Sequence, residues 1–458
     1  MRLFIPAGQK YLPYKSAMKN TSRCYFHRKI VYNVCGQEDN AMYIKRTVEK
    51  TIVELAGQFP CIAIYGPRQC GKSTTAEHLF GDIRQVTMDD LDDRKLANEN
   101  PRLFLETYGW PLLIDEIQKA PALFDYIKIV IDEENKKRIK EDKKKELMYV
   151  LTGSSQFELQ QGIADSLAGR CAIVDMSFFS MAEINGSEGL LFDPDIAVLL
   201  ERERTSAVPY RTRKEIFEDI FLGGIPDVVL QNAGRDAYFR SYVNTYIEKD
   251  VRRLISQNSE VQFRNFLSLI ALRTAQELKY DVLSNAAGID VRTCRRWISV
   301  LERSGIIYLL QPYMADVSNR IIKAPKLYFM DTGLCAYLCK WPNAEMLENG
   351  AMAGAFFETY IVSELIKNSF AYNIDPNWKL FYYRDIDQKE IDILYLKNDT
   401  IYPIEIKKSS SPAKPAKNFN VLKKYGQPVG KGIIIDTCDK IRPVNEVAYT
   451  CPVGILAI

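Results

Sequence analysis

Short apolar runs alternate with segments of helical period along most of the chain. Cys61–Tyr65, Leu112–Ile114 and "LMYVL" at 147–151 are continuous apolar stretches of buried-strand type. Helix-compatible segments separate them, and that alternation predicts a parallel α/β sheet. Met42 opens an amphipathic helical pattern, "MYIKRTVEKTIVELAG", where the fold is expected to begin. Residues 206–258 read as helical connections forming a lid, with a turn at Gly223-Gly224 and Pro226.

From about residue 260, "FRNFLSLIALRTAQ" and "KYDVLSNAAGI" are two helices, the second ending at Gly288. Asp290 then caps "VRTCRRWISVLERSG", which ends at Gly305. The strands "IIYLLQPY" and "KLYFMD" follow, completing a winged helix-turn-helix. Arg292, Arg295, Arg296 and Arg303 fall on its candidate recognition helix, whose apolar side is Trp297, Ile298 and Leu301. Such a helix suits a major groove; the same pattern suits one used only for packing. "DTG" at Asp331–Gly333 is a single copy at a helical boundary and is not read as a protease site.

Near the C-terminus, "QKEIDILYLKNDTIYPIEIKKS" reads as a hairpin turning at Asn398-Asp399. That turn puts Asp392 opposite Glu405, with Lys407 on the same face as Glu405 and Ile391, Ile393, Ile404 and Ile406 on the other. Opposed carboxylates repel, and a divalent cation reverses the sign of that contact. In "GAFFETYIVSELIKN", Glu358 shares a helical stripe with Ile361, Val362 and Leu365, and a carboxylate there needs a partner.

At 458 residues the chain is too long for one ordinary core, so two or three domains are expected. Apolar content of 47% and charged content of 26% are those of a soluble globular protein. A net charge of +3 makes any nucleic-acid surface local. Ten scattered cysteines fit a reducing cytosol, and two histidines exclude chemistry built on several. Cys24, His27 and Cys35 lack a fourth ligand. No run is long and apolar enough to span a membrane, and no secretory signal is evident. A cytoplasmic location and no membrane partner are expected. The mixed-charge stretch 133–146 reads as a solvated helix face or loop insertion.

The sharpest signal is Gly66-Pro67-Arg68-Gln69-Cys70-Gly71-Lys72-Ser73, a P-loop between a strand and a helix that continues through Thr74. Glycines let backbone N–H groups wrap phosphates, Lys72 reaches the β- and γ-phosphates, and Ser73 ligates Mg²⁺. Asp115 and Glu116 end the next apolar strand as a Walker B pair: Asp115 to hold Mg²⁺ through water, Glu116 to polarise the attacking water. Ser154 or Ser155, at the end of a third strand, is a candidate γ-phosphate sensor. Arg170 is a weaker candidate for stabilising charge. Cys70, beside Lys72 and the loop amides, is expected to be a reactive thiol, with a buried inert one as the alternative.

Together "YGPRQCGKST", "LLIDEIQKAP", "LTGSSQFEL", "LAGR", "FLGGIPDVV" and "KLYFMDTGL" resemble the prokaryotic AAA-type ATPases that carry a C-terminal domain of unknown function. The resemblance covers about residues 42–458. It implies an AAA-type ATPase core at 42–205, a helical lid at 206–258, a winged helix at 259–345 and a restriction-endonuclease-like α/β module at 346–458, after an N-terminal extension at 1–41. The helical Glu, strand Asp and Glu-x-Lys resemble that nuclease core. Under the resemblance Asp392 and Glu405 bind Mg²⁺, Glu358 supports them, and Lys407 orients the attacking water. The expected cofactors are ATP and Mg²⁺. The expected activity is ATP hydrolysis coupled to DNA or to a protein partner; the competing reading is a nucleotide-dependent switch with a protein partner and no nuclease activity. Oligomerisation is left open.

Overall fold

The computed structural model describes residues 43–142, 144–153, 159, 162–206, 211–247, 260–314, 324–410 and 415–458. Five strands form the first sheet: β1 (Cys61–Tyr65), β2 (Arg84–Thr87), β3 (Leu112–Asp115), β4 (Tyr149–Thr152) and β5 (Cys171–Asp175). Their order is β2-β3-β4-β1-β5, and all pairs are parallel. Helices cover both faces, which is why Cys61–Tyr65 can be apolar at every position and buried throughout. Because β4 lies between β1 and β3, the loops after all three converge at one edge of the sheet.

The helix expected from Met42 begins only at Glu49 and ends at Ala56. The Arg46 N–H donates to Glu49 Oε1 at 2.6 Å, and the guanidinium is held elsewhere, so the preceding turn is not helical. Helices Arg213–Leu222, Pro226–Val229 and Arg235–Tyr242 fill the connecting region. The charged stretch after the Walker B strand ends helix Ala122–Glu141.

Helices Glu260–Ala271, Tyr280–Ala287 and Val291–Arg303 pack with a small antiparallel sheet, β6 (Gln276–Glu277), β7 (Ile307–Leu310) and β8 (Lys326–Phe329), in the order β6-β8-β7. The Asp290 carboxylate accepts from Thr293 N–H at 2.8 Å and caps the helix. Cys294, Trp297, Ile298 and Leu301 are buried along that helix. Asp331 caps helix Thr332–Leu338 through Leu334 N–H and also accepts from Gly224 N–H at 2.6 Å, which gives the "DTG" stretch a packing role.

The last region sets the long helix Ala353–Ala371 against a six-stranded mixed sheet. Its strands are β9 (Leu380–Arg384), β10 (Glu390–Lys397), β11 (Thr400–Ile406), β12 (Gly432–Asp436), β13 (Arg442–Asn445) and β14 (Ala448–Pro452), in the order β13-β14-β12-β11-β10-β9. The β10–β11 register has Lys397 opposite Thr400, with Asn398 at φ 54° in the turn.

Ile44–Ile458 form one compact unit. A single apolar cluster runs from Ile62 and Ile64 through Phe217, Trp297 and Phe357 to Ile404 and Ile455. A second fills the other face of the parallel sheet, and a third lies on the outer face of the six-stranded one. Ile391 belongs to that third cluster and not with Ile393, Ile404 and Ile406 as alternation predicts. The cause is an irregularity between Ile391 and Leu394 in the β10–β9 pairing. Such a bulge reverses the alternation and re-aims the residue within it, here Asp392.

Candidate functional site

The P-loop joins β1 to helix Lys72–Phe80. Gly66 has φ 148°, and a Cβ there would lie 2.0 Å from the Met176 carbonyl oxygen. Only glycine fits that approach. Gly71 has φ 96° and precedes the helix, whose first N–H groups face the loop. Lys72 is buried, and its Nζ donates to the Gly66 and Pro67 carbonyls at 3.0 and 2.8 Å. Both partners are neutral carbonyls, and neither is a carboxylate.

Ser73 Oγ donates to Asp115 Oδ1 at 3.1 Å, and Thr152 Oγ1, at the end of β4, donates to the same oxygen. A hydroxyl and a carboxylate at that separation fit the coordination of Mg²⁺ carried by a nucleotide, and the glycine cradle fits its phosphates. Glu116 sits at φ 54°, a position that costs about 1 kcal/mol or more, with Gln118 Nε2 donating to its Oε2. Thr74 is exposed on the helix's first turn.

Each residue from Pro67 to Cys70 touches another part of the chain. A Cβ at Gly305, in the turn that ends the candidate recognition helix, would lie 2.8 Å from Pro67 Cγ. Tyr242 OH donates to the Arg68 carbonyl at 3.3 Å, and Tyr238 OH donates to Gln69 Oε1. Arg46 Nη1 donates to the Cys70 carbonyl at 2.8 Å and Nη2 to the Ser177 carbonyl at 2.6 Å. The same guanidinium pairs with Glu183 at 3.1 Å and lies 4.7 Å from the Phe179 ring centroid. From the other side, Lys367 Nζ donates to the Phe179 carbonyl at 3.0 Å, and Glu364 accepts from Met181 N–H at 2.6 Å. The segment after β5 is thus held between the P-loop and helix Ala353–Ala371.

Two expectations fail here. Arg170 precedes β5 at the edge of the sheet opposite the P-loop, where it pairs with Asp132 at 2.6 and 2.9 Å. That hydrogen bond holds Asp132 below the ordinary carboxylate range. Arg170 therefore does not reach this nucleotide site from within the chain. Cys70 is fully buried with Sγ 3.9 Å from the Met176 carbonyl, so its thiol lies under the loop and not among the phosphate-facing amides. Ser154 and Ser155 lie outside the described residues.

At the second candidate site, Asp392 Oδ2 accepts from Ile406 N–H at 2.7 Å, taking the place of a ladder carbonyl where β10 and β11 part. Lys407 Nζ lies 2.6 Å from Glu405 Oε1 and 3.6 Å from Asp392 Oδ2. Glu358 Oε1 accepts from Lys326 Nζ at 3.0 Å and Tyr328 OH at 2.7 Å. Burial first, then the nearby carboxylates, raise Glu405 to about 7. Glu358 is also raised to about 7, by burial opposed by Lys326 and reinforced by Asp392. Burial works against the Lys407 charge, but Asp392 and Glu405 outweigh it and hold the group above its usual range. Among the described residues no three Asp, Glu, His or Cys side chains are spaced to hold a metal ion. Asp392 and Glu405 have Lys407 beside them, and Glu358 has Lys326.

Arg292, Arg295, Arg296 and Arg303 are all exposed on their helix, with Arg295 lying 4.1 Å from the Tyr280 ring centroid. Sequence reasoning missed Arg46, Glu183, Tyr238, Tyr242 and Lys326, and it placed Thr152 at the ligand-facing end of its strand without giving it a role. Gly305 was read only as a helix stop.

A parallel sheet in this order, with a P-loop after β1 and an acidic pair after β3, defines a P-loop ATPase core. Residues 58–185 match the family model of the AAA domain. Residues 213–345 and 353–456 match two domains of unknown function, DUF8612 and DUF4143. The chain carries an AAA-type P-loop ATPase domain followed by two domains of unknown function. Uncharacterized proteins of Mycobacterium tuberculosis and Mycobacterium bovis are each 24% identical over 363 residues, spanning 77% of this chain and 71% of theirs. Among solved structures, a Walker-type ATPase of Pyrococcus abyssi aligns at a TM-score of 0.39 and 13% identity, covering 65% of this chain and 96% of that one. ORC2 of Aeropyrum pernix aligns at a TM-score of 0.31 and 12% identity, covering 66% and 91%. Among the described residues no helix is long and apolar enough to cross a membrane.

Proposed function

We propose that this protein is a Mg²⁺-dependent ATP-hydrolysing switch whose nucleotide state is read by the winged-helix and C-terminal regions. Lys72 and the loop amides hold the phosphates, Ser73 and Asp115 hold the metal, and Glu116 orients the attacking water. The observation that carries the reading is the set of neighbours around the loop: Pro67 against Gly305, Arg68 and Gln69 against Tyr242 and Tyr238, Cys70 against Arg46. Lys72 must leave two of the loop's own carbonyls to meet a phosphate, and the loop cannot adjust without pressing on those neighbours. ATP turnover tests the chemistry. Lys72→Ala is expected to lower it about a hundredfold or more, the scale of losing one preorganised charge donor. Glu116→Gln is expected to retain ATP binding while losing a similar factor in turnover. Turnover unchanged in both variants would defeat the reading.

A second reading, binding of duplex DNA, is supported by the four exposed arginines of helix Val291–Arg303. Its test is the salt dependence of duplex binding. Arg292→Gln with Arg296→Gln should weaken binding and reduce the slope of log K against log salt by about 1 for each phosphate no longer neutralised. A slope equal to that of the parent would remove DNA and leave a protein partner.

A further inference from the structure

One side chain ties the acidic end of β3 to the end of β4, and the chemistry proposed above does not use it. Gln118 lies in the short turn Ile117–Lys119 that follows Glu116, and its Nε2 donates to Glu116 Oε2. A carboxylate oxygen only accepts, so the amide nitrogen faces Glu116 and Gln118 Oε1 points the other way. That way lies Gly153, the residue after β4. A Cβ there would fall 2.2 Å from Gln118 Oε1 and 3.1 Å from its Cδ. The φ of Gly153 is not in the left-handed region, so the carboxamide's space, and not the backbone angle, calls for glycine. Gln118 Oε1 is itself buried, with no hydrogen-bond partner among the described residues. Burying an unpaired acceptor is unfavourable, so the charge-assisted bond at the other end is what holds the carboxamide in place. Thr152, one residue before Gly153, donates to Asp115. The end of β4 thus touches both members of the acidic pair, Asp115 through a hydroxyl and Glu116 through the wall it gives Gln118.

We propose that Gln118 is a positioning residue for ATP hydrolysis. Braced against Gly153, it fixes the plane of the Glu116 carboxylate, so that the base meets the attacking water in one orientation. The backbone of Glu116, at φ 54°, sets where its side chain starts, and Gln118 sets where it ends. Gln118 acts through Glu116 and takes no part in the proton transfer. The inference rests on the role proposed above for Glu116.

The test measures kcat, KM and melting temperature of the full-length protein with Mg²⁺-ATP in four forms: parent, Gln118→Met, Glu116→Gln and the double variant. Gln118→Met keeps the length of the side chain and removes its amide. It is expected to lower kcat about tenfold or more, the scale of one hydrogen bond to a charged group, with KM changed by less than about twofold. Its melting temperature should not fall, because the substitution also removes a buried unpaired acceptor. In the Glu116→Gln background the same substitution should change kcat by less than about twofold, since a residue acting through Glu116 then has nothing to act on. Gly153→Ala drives a Cβ into the carboxamide and should lower kcat in the parent. It should add little to Gln118→Ala, where the obstructing group is gone. Should Gln118→Met fail to fold, this second pair decides the matter. An unchanged kcat in Gln118→Met beside a large loss in Glu116→Gln overturns the proposal and leaves the hydrolysis reading standing. Equal factors lost in both backgrounds overturn it too, because Gln118 then acts by another route. A parent without turnover, or turnover unchanged in Glu116→Gln, removes the role of Glu116 and the proposal with it.

Discussion

The chain holds two clusters of lysine and carboxylate, and they are built on opposite terms. At the P-loop, Lys72 rests on two carbonyl oxygens, and the acidic pair stands apart with Ser73 and Thr152 on Asp115. Neutral groups hold both Lys72 and Asp115 there. In the C-terminal cluster, Lys407 lies on Glu405 and Lys326 on Glu358, and the nearest carboxylates are raised by burial. The first arrangement keeps its charges available for a ligand. The second already pairs its carboxylates with lysines of the chain. Similar residue types therefore give a receptive site in one place and a closed ion network in the other. The deciding factor is whether a second element brings its own counter-ion.

The sharpest break of that comparison is a swap of lysine losses. Lys72→Ala removes turnover as stated above, whereas Lys407→Ala should leave turnover intact and act on stability. About a third of the Lys407 side chain is exposed, so the cost is discounted to roughly 1–2 kcal/mol for two carboxylates left without their partner. Urea unfolding and ATP turnover on the same preparations check both halves. A large loss of turnover in Lys407→Ala would mean the two clusters are not separate in function.

A smaller effect follows from pH. Glu358 and Glu405 each stand at about 7 in the folded chain against an ordinary value of 4.5. A carboxyl raised on folding contributes stability that is full below its unfolded value and is lost as pH rises through the folded one. Between about pH 5 and pH 8 these groups should make the protein progressively less stable, and Glu405→Gln should flatten that decline. Unfolding midpoints at two pH values near the ends of that window, in chelator, read the difference. A parent and variant that decline in parallel would show that Glu405 is not raised by its surroundings.

How much was legible in the sequence follows the same division. The P-loop and Walker B pair are local: glycine spacing, an apolar strand and a following helix fix Gly66, Lys72, Ser73 and Asp115 without tertiary knowledge. The hairpin register was equally legible, because a turn at Asn398-Asp399 fixes every pair that follows until a bulge intervenes. That bulge left no clear mark in "KEIDIL", so the placement of Ile391 was missed. Lys326 and Arg46 could not be found by pattern, since each acts on residues far along the chain: Glu358 and Glu390 for one, Cys70 and Glu183 for the other. Gly305 carried a signal with two meanings. Its φ of 69° ends a helix, and its missing side chain also admits Pro67. The Arg170 expectation failed because "LAGR" marks the start of β5, while the site lies at the strand's other end.

We propose that the P-loop reports its nucleotide state to the winged helix through the close approach of Pro67 to Gly305. Hydrogen exchange of the full chain, with and without Mg²⁺-ATP, measures it most directly in Glu116→Gln, which should hold the nucleotide unhydrolysed. ATP is expected to change protection across residues 301–307 and across helix Arg235–Tyr242, and Lys72→Ala should show neither change. Gly305→Ala places a Cβ against Pro67 in a left-handed position, at a cost of about 1–2 kcal/mol. It should reduce the response at 301–307 while sparing the response in helix Arg235–Tyr242. Bound ATP that protects the P-loop but leaves 301–307 unchanged in the Glu116→Gln protein would contradict the account.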